Sequence, residues 1–482
     1  MLYAPASGLY SCPLAMTDGA AQTLMSSDQS IPEVKKAVSR LTSRDPNYFW
    51  TSGQWMTEKR GGSDVQGATE TTATPIPQSE SGWYNLNGYK WFSSATDSDM
   101  ALLLARHGSL TENDNLSMFF LQTRDYSNDG KLNGIQIVKL KNKMGTRQLP
   151  TAELLLTNAK ARLLSEEGRG VAKISSMLGI TRLHNIINSV GYQRKMTSLA
   201  QDYSKRRVAF GKPIATHPLH IRTLAQMEVE TRGNTVLMID LARQQGLEDI
   251  GSIGDNDKLL LRLMTPVAKL YTAKKAIELA SEGIEAFGAQ GYIEDTGIPG
   301  ILRDAQVLPI WEGTSNVQAL DVLRYTYIQI LLCSAGVMFV KGYFHFSRAL
   351  KKTKGDALRA FQNRVSSTLE LAGQSNNAAI VTALQSTSSG LYGLIDFASK
   401  SELAEMEMAG RDFAFSLAHI YIGSLLIEHA LYTGQLLDAV TARQWTISRD
   451  MCPVSTQQKA NSYRLQREAD HIKNMTFEGQ DM

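Results

Sequence analysis

The spacing of apolar residues changes along this chain of 482 residues, and the change limits what the chain can fold into. Between residues 49 and 158 the apolar segments are short, alternate with polar residues and are rich in aromatic and β-branched side chains, as in β-strands. After Gly168 and Gly170 the apolar residues recur at a period of about 3.6 over much longer segments, as in helices. The sequence therefore predicts an α+β multidomain fold in which a β-domain precedes a helical region.

The β-region contains an Asn-Gly pair at Asn87 and Gly88, which lies between two alternating runs and predicts a hairpin within 83–93. Further strands are predicted at 101–106, 117–123, 135–141 and 152–156. Together these segments indicate an antiparallel β-domain.

The helical region contains four long segments joined by short connections, which favours a four-helix bundle. The predicted helices cover 171–206, 217–246, 256–287 and 315–338. A last block, from about 340, also has the helical period, with one Ser/Asn/Gly-rich interruption near 372–390. The first residues offer a short amphipathic run at 32–41. The predicted domains are 1–45, a remnant of a helical domain, 46–165, 166–338 and 339–482.

Charge and cysteine content exclude several classes of protein. Fifty basic and 47 acidic residues leave a formal charge of +3, too small over this length for a general attraction to nucleic acid or membranes. Three cysteines without a C-x-x-C pair support neither a disulfide framework nor a zinc site, and they favour a reducing compartment. The longest uncharged stretches, 325–340 and 413–427, are shorter than a membrane span, so we interpret them as buried helices. A cytoplasmic location is expected, with a mitochondrial or peroxisomal one remaining open if the N-terminus is incomplete.

The common catalytic motifs are missing. No G-x-G-x-x-G follows a strand, and neither a P-loop nor a G-x-S-x-G is present, which argues against the dinucleotide-binding α/β folds. His217 and His220 flank Pro218 without a nearby cysteine or carboxylate, so no metal site is predicted.

Five polar motifs lie where the predicted elements change. They are Gln-Trp-Met-Thr-Glu-Lys-Arg-Gly-Gly-Ser-Asp at 54–64, Lys-Trp-Phe-Ser-Ser at 90–94, Arg-Arg-Val-Ala-Phe-Gly at 206–211, Ala-Phe-Gly-Ala-Gln-Gly-Tyr at 286–292 and Ile-Trp-Glu-Gly-Thr-Ser-Asn at 310–316. Singly, each has an ordinary structural interpretation: cations at a helix C-terminus, for example, are favourable in any protein. Their order and spacing together carry more information than any one of them.

Taken together, the five motifs resemble the acyl-CoA dehydrogenase family, and in particular its AidB-like branch. The resemblance implies N-terminal helices, here apparently lacking for the most part, a central antiparallel β-barrel, a four-helix bundle and, in that branch, an extra C-terminal helical domain. It also implies FAD held between barrel and bundle in a homotetramer, with a neighbouring subunit completing the cofactor site.

The resemblance assigns roles to particular residues. Those expected at the FAD are Met56, Thr57, Phe92, Ser94, Arg207, Phe210, Glu285, Thr314 and Asn316. Trp91 replaces Phe92 if the strand register differs by one residue. Ser63 and Arg182 are expected at the CoA moiety. Gly179 stands where many members carry an aspartate in the CoA pocket, which leaves nucleotide recognition open.

Glu312 falls on the position of the family's catalytic base. The α-proton of a thioester is weakly acidic, so its removal requires a desolvated carboxylate and a polarised carbonyl. The predicted reaction is α,β-dehydrogenation of a fatty acyl-CoA, with the proton going to Glu312 and the hydride to flavin N5. Because 171–191 and 217–240 are mostly apolar, medium to long acyl chains are favoured. For an isolated glutamate, a carboxylate near a helix N-terminus would suffice as an explanation.

Two further functions stay open. One is a protein that binds fatty acid or acyl-CoA and sequesters it with little turnover, thereby regulating lipid metabolism. The other is an AidB-like DNA-binding flavoprotein. It is suggested by a cluster of basic residues that could contact DNA phosphates: Arg348, Lys351, Lys352, Lys354, Arg359 and Arg364. DNA binding is the less favoured because 341–482 contains fifteen basic and fourteen acidic residues.

Overall fold

The computed structural model describes residues 1–77, 82–107, 116–126, 128–327, 356–456, 462–463 and 476. By compactness the chain divides into two units. The first contains Met1–Lys195 and Ala289–Glu312, and the second contains Met196–Gly288 and Gly313–Met482. The domain boundaries expected from the sequence stay predictions.

Eleven strands and thirteen α-helices are found in the described part of the chain. The strands are β1 Ser52–Gln54, β2 Thr72–Pro75, β3 Trp83–Ser94, β4 Met100–His107, β5 Leu116–Gln122, β6 Arg124–Asp125, β7 Lys131–Leu132, β8 Ile135–Leu140, β9 Thr151–Leu163, β10 Val208–Ala209 and β11 Lys212–Pro213. The helices are α1 Ser11–Met25, α2 Pro32–Leu41, α3 Val65–Ala68, α4 Gly170–Arg206, α5 Pro218–Asp249, α6 Asp255–Ala286, α7 Ala289–Tyr292, α8 Ile298–Ala305, α9 Ser315–Tyr327, α10 Asp356–Ala372, α11 Ala378–Lys400, α12 Leu403–Thr433 and α13 Leu436–Ile447.

The predicted β-barrel is confirmed as a closed sheet in the first unit. Strands β4, β2, β3, β9 and β5 follow one another around the ring, and β5 pairs with β4 to close it. Strand β1 adds to β4, and β8 adds to β9. The sheet is antiparallel except that β1 and β2 each pair with β4 in parallel.

Alternating residues of β4 supply two hydrophobic cores. Leu103 lies in the core inside the barrel, together with Trp55 and Phe119. Leu102 faces the other way and shares a core with Met16 of α1 and residues of α2. Because successive side chains of a strand point to opposite faces, α1 and α2 cover the outside of the barrel on this side.

The hairpin predicted at Asn87 and Gly88 is wrong. Strand β3 passes through this pair without turning and stays paired with β9 along its whole length, with a register shift between Leu86 and Gly88. Glycine is needed there because a Cβ atom at Gly88 would lie 2.3 Å from Oγ1 of Thr71. Pairing with a thirteen-residue strand outweighs the local turn preference of Asn-Gly.

A buried ion pair joins β3 to the 54–64 motif. Nζ of Lys90 lies 2.6 Å from Oε1 of Glu58, and both side chains are almost completely buried. Burial raises the pKa of Glu58, but Lys90 and hydrogen bonds from Thr71 and Glu70 outweigh it and lower that pKa below its usual value. Burial also lowers the pKa of Lys90, which Glu58 partly restores. Each charge is therefore stabilised by the other.

In the second unit, α5, α6 and α9 pack against α12, whose residues Phe413–Ile427 are mostly buried, as predicted. Among the described residues, α12 is the one helix whose length and hydropathy would suit a membrane span. Its most apolar stretch is 78% buried inside the protein, which is what the central helix of a packed bundle requires.

A buried polar cluster lies on these same helices. Glu230 of α5 accepts hydrogen bonds from Arg449 and from the hydroxyl of Tyr271, each at 2.8 Å. The Arg449 guanidinium also stacks on the Trp445 ring, 3.5 Å from its centroid. Burial, and after it the charge of Arg449, lowers the pKa of His419 to about 3, so this histidine is neutral. The cluster ties the last helices of the chain to α5 and α6.

The interruption predicted at 372–390 is much shorter than expected. The break covers only 373–377, and α11 begins directly after Asn377, whose side chain caps it by accepting from the backbone N–H of Ala379 at 2.9 Å. Gly390 lies inside α11, at a position where a Cβ would meet Met451 at 2.9 Å, so packing and not a loop explains this glycine. The predicted helix 315–338 is confirmed up to Tyr327, and its remainder lies outside the described residues.

Replacing Lys90 with Met should lower the free energy of unfolding by about 3–5 kcal/mol, because the carboxylate of Glu58 would be left buried without its cation. Urea denaturation measures this loss. The matched control is Arg60→Met: Arg60 pairs with Glu70 on the surface, with 79% and 53% of the two side chains exposed, so about 1 kcal/mol or less is expected. Equal losses in both variants would contradict the structural role of the buried pair.

Candidate active site

Glu312 adopts a backbone conformation that is uncommon for a residue with a side chain. Its φ is +58°, in the left-handed region, and Gly313 follows at +100°. Oε2 of Glu312 lies 2.6 Å from the hydroxyl of Thr181, and its main-chain carbonyl accepts from Nε of Arg182 at 3.3 Å. The left-handed turn and these two contacts direct the carboxylate to one place.

The glycine after Glu312 is required by its surroundings in the second unit. A Cβ atom at Gly313 would lie 2.4 Å from Nε2 of Gln318. The carbonyl of Gly313 accepts from the buried ammonium of Lys269 at 2.7 Å. Packing alone therefore explains why a glycine follows Glu312 in the 310–316 motif.

The carboxylate of Glu312 lines a small cavity in the first unit. The cavity has a volume of about 20 Å³, which is room for about one water molecule. Its lining residues are Cys12, Ala15, Met16, Thr181, His184, Asn185, Asn188, Trp311 and Glu312. A larger ligand therefore requires lining side chains to move.

Helix α1 is held against α4 by polar contacts along its length. Oδ2 of Asp18 lies 2.8 Å from Nε2 of His184, and Nζ of Lys173 donates to the carbonyl of Ser26 at 2.8 Å. Gly19 allows this approach, since a Cβ there would be 2.8 Å from Met177. The packing of α1 against α4 was not predicted, because no local feature of residues 11–25 indicates that α4 is their partner.

Cys12 lies in the cavity close to Glu312. Burial raises the pKa of the Cys12 thiol strongly, and the negative charge of Glu312 raises it further, while Lys143 lowers it. The sulfur is therefore a neutral thiol and a poor nucleophile at neutral pH. Cys452 is also buried and free, and Cys333 lies outside the described residues.

The residues expected beside the flavin ring lie in the last part of β3 and in the segment that follows β1. Thr57 accepts a backbone hydrogen bond from Trp91 at 2.9 Å, and the Ser94 hydroxyl pairs with that of Thr151 at 3.0 Å. Phe92 and Met56 are half-buried. A β-bulge between Lys90 and Ser93 places two residues, Trp91 and Phe92, opposite one. Lys141 covers the Trp91 ring at 3.9 Å, so Phe92 remains the better candidate of the two.

Thr314 and Asn316 lie at the start of α9 in the second unit. Oδ1 of Asn316 accepts from Nε of Arg411 at 2.7 Å. Beside them is a cavity of about 200 Å³, which is lined by Leu270, Lys274, Ser315, Arg411, Asp412 and Phe415. The Ser315 side chain is buried, and its hydroxyl has no hydrogen-bond partner among the described residues.

The other predicted site residues lie at the surface. Phe210 is 94% exposed at the β10–β11 turn, with a left-handed φ of +53°, and its ring edge meets His217. Arg207 and Glu285 are exposed in the second unit, and Ser63 is exposed in the turn before α3. None of these four lines the cavity at Glu312, and their assigned roles stay predictions. In the part of the chain that the structure describes, no group of three or more His, Cys, Asp or Glu could hold a metal.

Comparison with known families gives three matches along the chain. The acyl-CoA dehydrogenase middle domain matches residues 53–159, the acyl-CoA dehydrogenase C-terminal domain matches 168–326, and the acyl-CoA dehydrogenase 11 C-terminal domain-like family matches 356–473. The chain belongs to the acyl-CoA dehydrogenase family.

Two curated relatives show where in the family the chain is similar. It is 48% identical over 436 residues to acyl-CoA dehydrogenase family member 11 of Caenorhabditis elegans, covering 89% of this chain and 67% of the relative. It is 33% identical to the putative acyl-CoA dehydrogenase AidB of Escherichia coli, covering 73% and 64%. The chain thus spans about two thirds of these relatives, and the expected AidB-like branch is the more distant likeness.

Solved structures agree with the fold. The structure of Caenorhabditis elegans ACDH-11 in complex with C11-CoA superposes with a TM-score of 0.86 at 42% identity, covering all of this chain and 77% of the other. Butyryl-CoA dehydrogenase from Megasphaera elsdenii superposes with a TM-score of 0.53 at 24% identity over 63% of this chain and 73% of the other. The second likeness concerns the fold alone.

Replacing Thr181 with Val should destabilise the protein by about 1.5–3 kcal/mol, because the hydroxyl donates to an ionised group. Thermal or urea unfolding measures the loss. Thr265→Val on α6 is the matched control, since that hydroxyl bonds only to the carbonyl of Leu261 in its own helix. If the two variants lose the same stability, the Thr181 hydroxyl does not hold Glu312.

Proposed function

We propose that this protein is an FAD-dependent acyl-CoA dehydrogenase, in which Glu312 removes the α-proton of a fatty acyl-CoA. One observation carries the proposal: the carboxylate of Glu312 lines a cavity and is held there by Thr181. The family membership of the chain and the acyl-CoA bound in the structure of its Caenorhabditis elegans relative support the same ligand class.

The geometry suits a base that must act at one carbon atom. The left-handed turn fixes the backbone of Glu312, and Thr181 fixes one carboxylate oxygen, Oε2. Trp311 and Met16 provide apolar surface on the cavity wall, which limits hydration of the acid. Such positioning converts a weak base into an effective one, because no reorganisation is needed during proton transfer.

The described residues fit an FAD diphosphate. The cavity beside α9 combines the cations Lys274 and Arg411 with the buried hydroxyl of Ser315 at a helix N-terminus, groups that attract phosphate, and its lining also contains the one carboxylate of Asp412. Thr314 and Asn316 adjoin it and would hold the same group. A bound flavin supplies the acceptor for the hydride from the β-carbon. The roles expected for Met56, Thr57 and Phe92 at the flavin ring stay predictions.

A homotetramer is part of the proposal. Phe210 exposes nearly its whole ring on a strained turn, which is unfavourable for an isolated chain and is explained if a second copy covers it. A cytoplasmic location likewise remains a proposal.

A second candidate is an acyl-CoA binding protein with little turnover. The cavity at Glu312 has room for about one water molecule, so an acyl ligand has to displace side chains before it reaches the acid. DNA binding gains no such support, because Arg359 and Arg364 are already paired with Asp356 and Glu428. Arg348, Lys351, Lys352 and Lys354 lie outside the described residues.

Anaerobic titration of the flavin-loaded protein with acyl-CoAs of increasing length separates the two candidates. A dehydrogenase bleaches the yellow flavin absorbance, whereas saturable binding without bleaching identifies the second candidate. Glu312→Gln should keep flavin and ligand but slow the bleaching at least about a hundredfold, because it removes the general base. Bleaching at the parent rate would show that Glu312 is not the base.

Replacing Arg411 with Ala should lower the amount of FAD retained after purification and weaken its rebinding, because a cation near the diphosphate is lost. Absorbance of the released flavin and fluorescence titration measure both quantities without any turnover assay. Arg443→Ala, an exposed arginine on α13, is the control and should change neither. Unchanged FAD affinity in Arg411→Ala would remove this cavity from the cofactor site.

A further inference from the structure

A half-buried lysine that the proposed reaction does not use lies in the segment between β8 and β9. Nζ of Lys143 donates to the carbonyl of Leu149 at 2.7 Å and to the hydroxyl of Thr151 at 3.0 Å. Burial lowers the pKa of Lys143, and interactions with Cys12 and Asp304 partly restore it. Two acceptor oxygens and a nearby carboxylate favour the charged ammonium. An ammonium has three donors and no acceptor, so it can only donate to Thr151.

The Thr151 hydroxyl continues this contact to Ser94. The two hydroxyl oxygens lie 3.0 Å apart, and in an isolated pair either hydroxyl is able to donate. Thr151 is only 2% exposed, and its hydroxyl has no third partner among the described residues. Because Lys143 already donates to the Thr151 oxygen, the single hydrogen of Thr151 is satisfied only by donation to Ser94, and an unpaired buried donor is unfavourable. The charge of Lys143 therefore fixes the direction of both hydrogen bonds.

This direction leaves the hydroxyl hydrogen of Ser94 available for a ligand. Ser94 is buried, and Thr151 is the one partner of its hydroxyl in the part of the chain that the structure describes. The main-chain carbonyl of Ser94 accepts from Nε1 of Trp55 at 3.0 Å, and the pairing of β3 with β9 places Ser94 opposite Thr151. Ser94 thus presents an O–H donor from a position that main-chain contacts fix.

A donor at this place suits the ring that the proposed reaction requires. Ser94 is expected at the flavin, and N5 of the oxidised ring, the atom that would accept the hydride, carries a lone pair and no hydrogen. A hydrogen bond donated to N5 draws electron density from it and so assists hydride transfer. If Ser94 donated to Thr151 instead, its oxygen lone pairs would face N5 and no hydrogen bond would form.

We propose that Lys143 is a positioning residue, which acts through Thr151 to make the Ser94 hydroxyl a hydrogen-bond donor toward N5 of the flavin. The inference rests on the function proposed above and adds to it a residue that none of the five sequence motifs contains. Its role needs no contact between Lys143 and the substrate or the cofactor.

The test measures how strongly the protein distinguishes FAD from 5-deaza-FAD, in which a C–H group replaces N5 and removes the acceptor. The flavin-loaded protein is equilibrated with a mixture of the two flavins, and chromatography of the bound flavins gives the ratio of affinities without turnover. The parent should prefer FAD by about tenfold, because 5-deaza-FAD leaves the Ser94 hydrogen without an acceptor. In Ser94→Ala the preference should vanish.

Lys143→Met should lower the preference to about twofold or less. Without the ammonium, the Thr151 oxygen is free to accept the Ser94 hydrogen, so 5-deaza-FAD no longer leaves a donor unpaired. Lys143→Gln is a second variant with the same expected result, because an amide oxygen is able to accept the Thr151 hydrogen and release the pair from its fixed direction. A lysine that only stabilised the fold would weaken the binding of both flavins alike and leave their ratio unchanged.

Lys173→Met is the matched control, because Lys173 of α4 is also a half-buried lysine that donates to a carbonyl and a hydroxyl, both of Ser26. It should keep the tenfold preference. If the parent shows no preference, or if both Lys143 variants keep it, the inference is wrong, although FAD binding and the proposed function stand. If the protein binds neither flavin, the proposed function and the inference fail together.

Discussion

The left-handed backbone of Glu312 is the constraint on which the candidate chemistry depends. A side chain at φ +58° is unfavourable by itself, so the conformation persists only because other contacts outweigh it. Thr181 holds the carboxylate and Arg182 holds the carbonyl, while Gly313 occupies a position where no other residue fits. The orientation of the acid therefore depends on contacts with other residues. The same contacts thus maintain the strained backbone of Glu312 and orient its carboxylate.

The buried pair of Lys90 and Glu58 changes how two of the sequence motifs are understood. Both motifs suggest cofactor contacts when they are compared with the family, yet one charged residue of each, Glu58 and Lys90, is buried and binds the other. Each buried charge needs the opposite charge close to it, so the pair fixes the 54–64 segment against β3. The neighbouring residues Met56, Thr57 and Phe92 are thereby placed by an interaction in which they take no part.

Much of the fold follows from the sequence, because the period of the apolar residues is a local signal. The long helices and most of the strands were predictable in this way. The role expected of Glu312 came instead from the resemblance of the motifs to the family. The straight course of β3 through Asn87 and Gly88 was not, since its cause is the length of β9. The contact between α1 and α4 is equally non-local. The polar face of α4 could have been predicted, because the spacing of Thr181, His184, Asn185 and Asn188 is visible in the sequence. That this face lines the cavity is shown only by the structure.

The cluster around Glu230 has a consequence for any exchange of the C-terminal segment of this protein. Arg449, near the end of the described chain, neutralises a carboxylate that belongs to α5, more than two hundred residues earlier. If recombination replaced the last described helices with those of a distant homologue, Glu230 would stay buried without a cation unless the new segment supplied one in place of Arg449. The C-terminal segment therefore cannot be exchanged independently of α5.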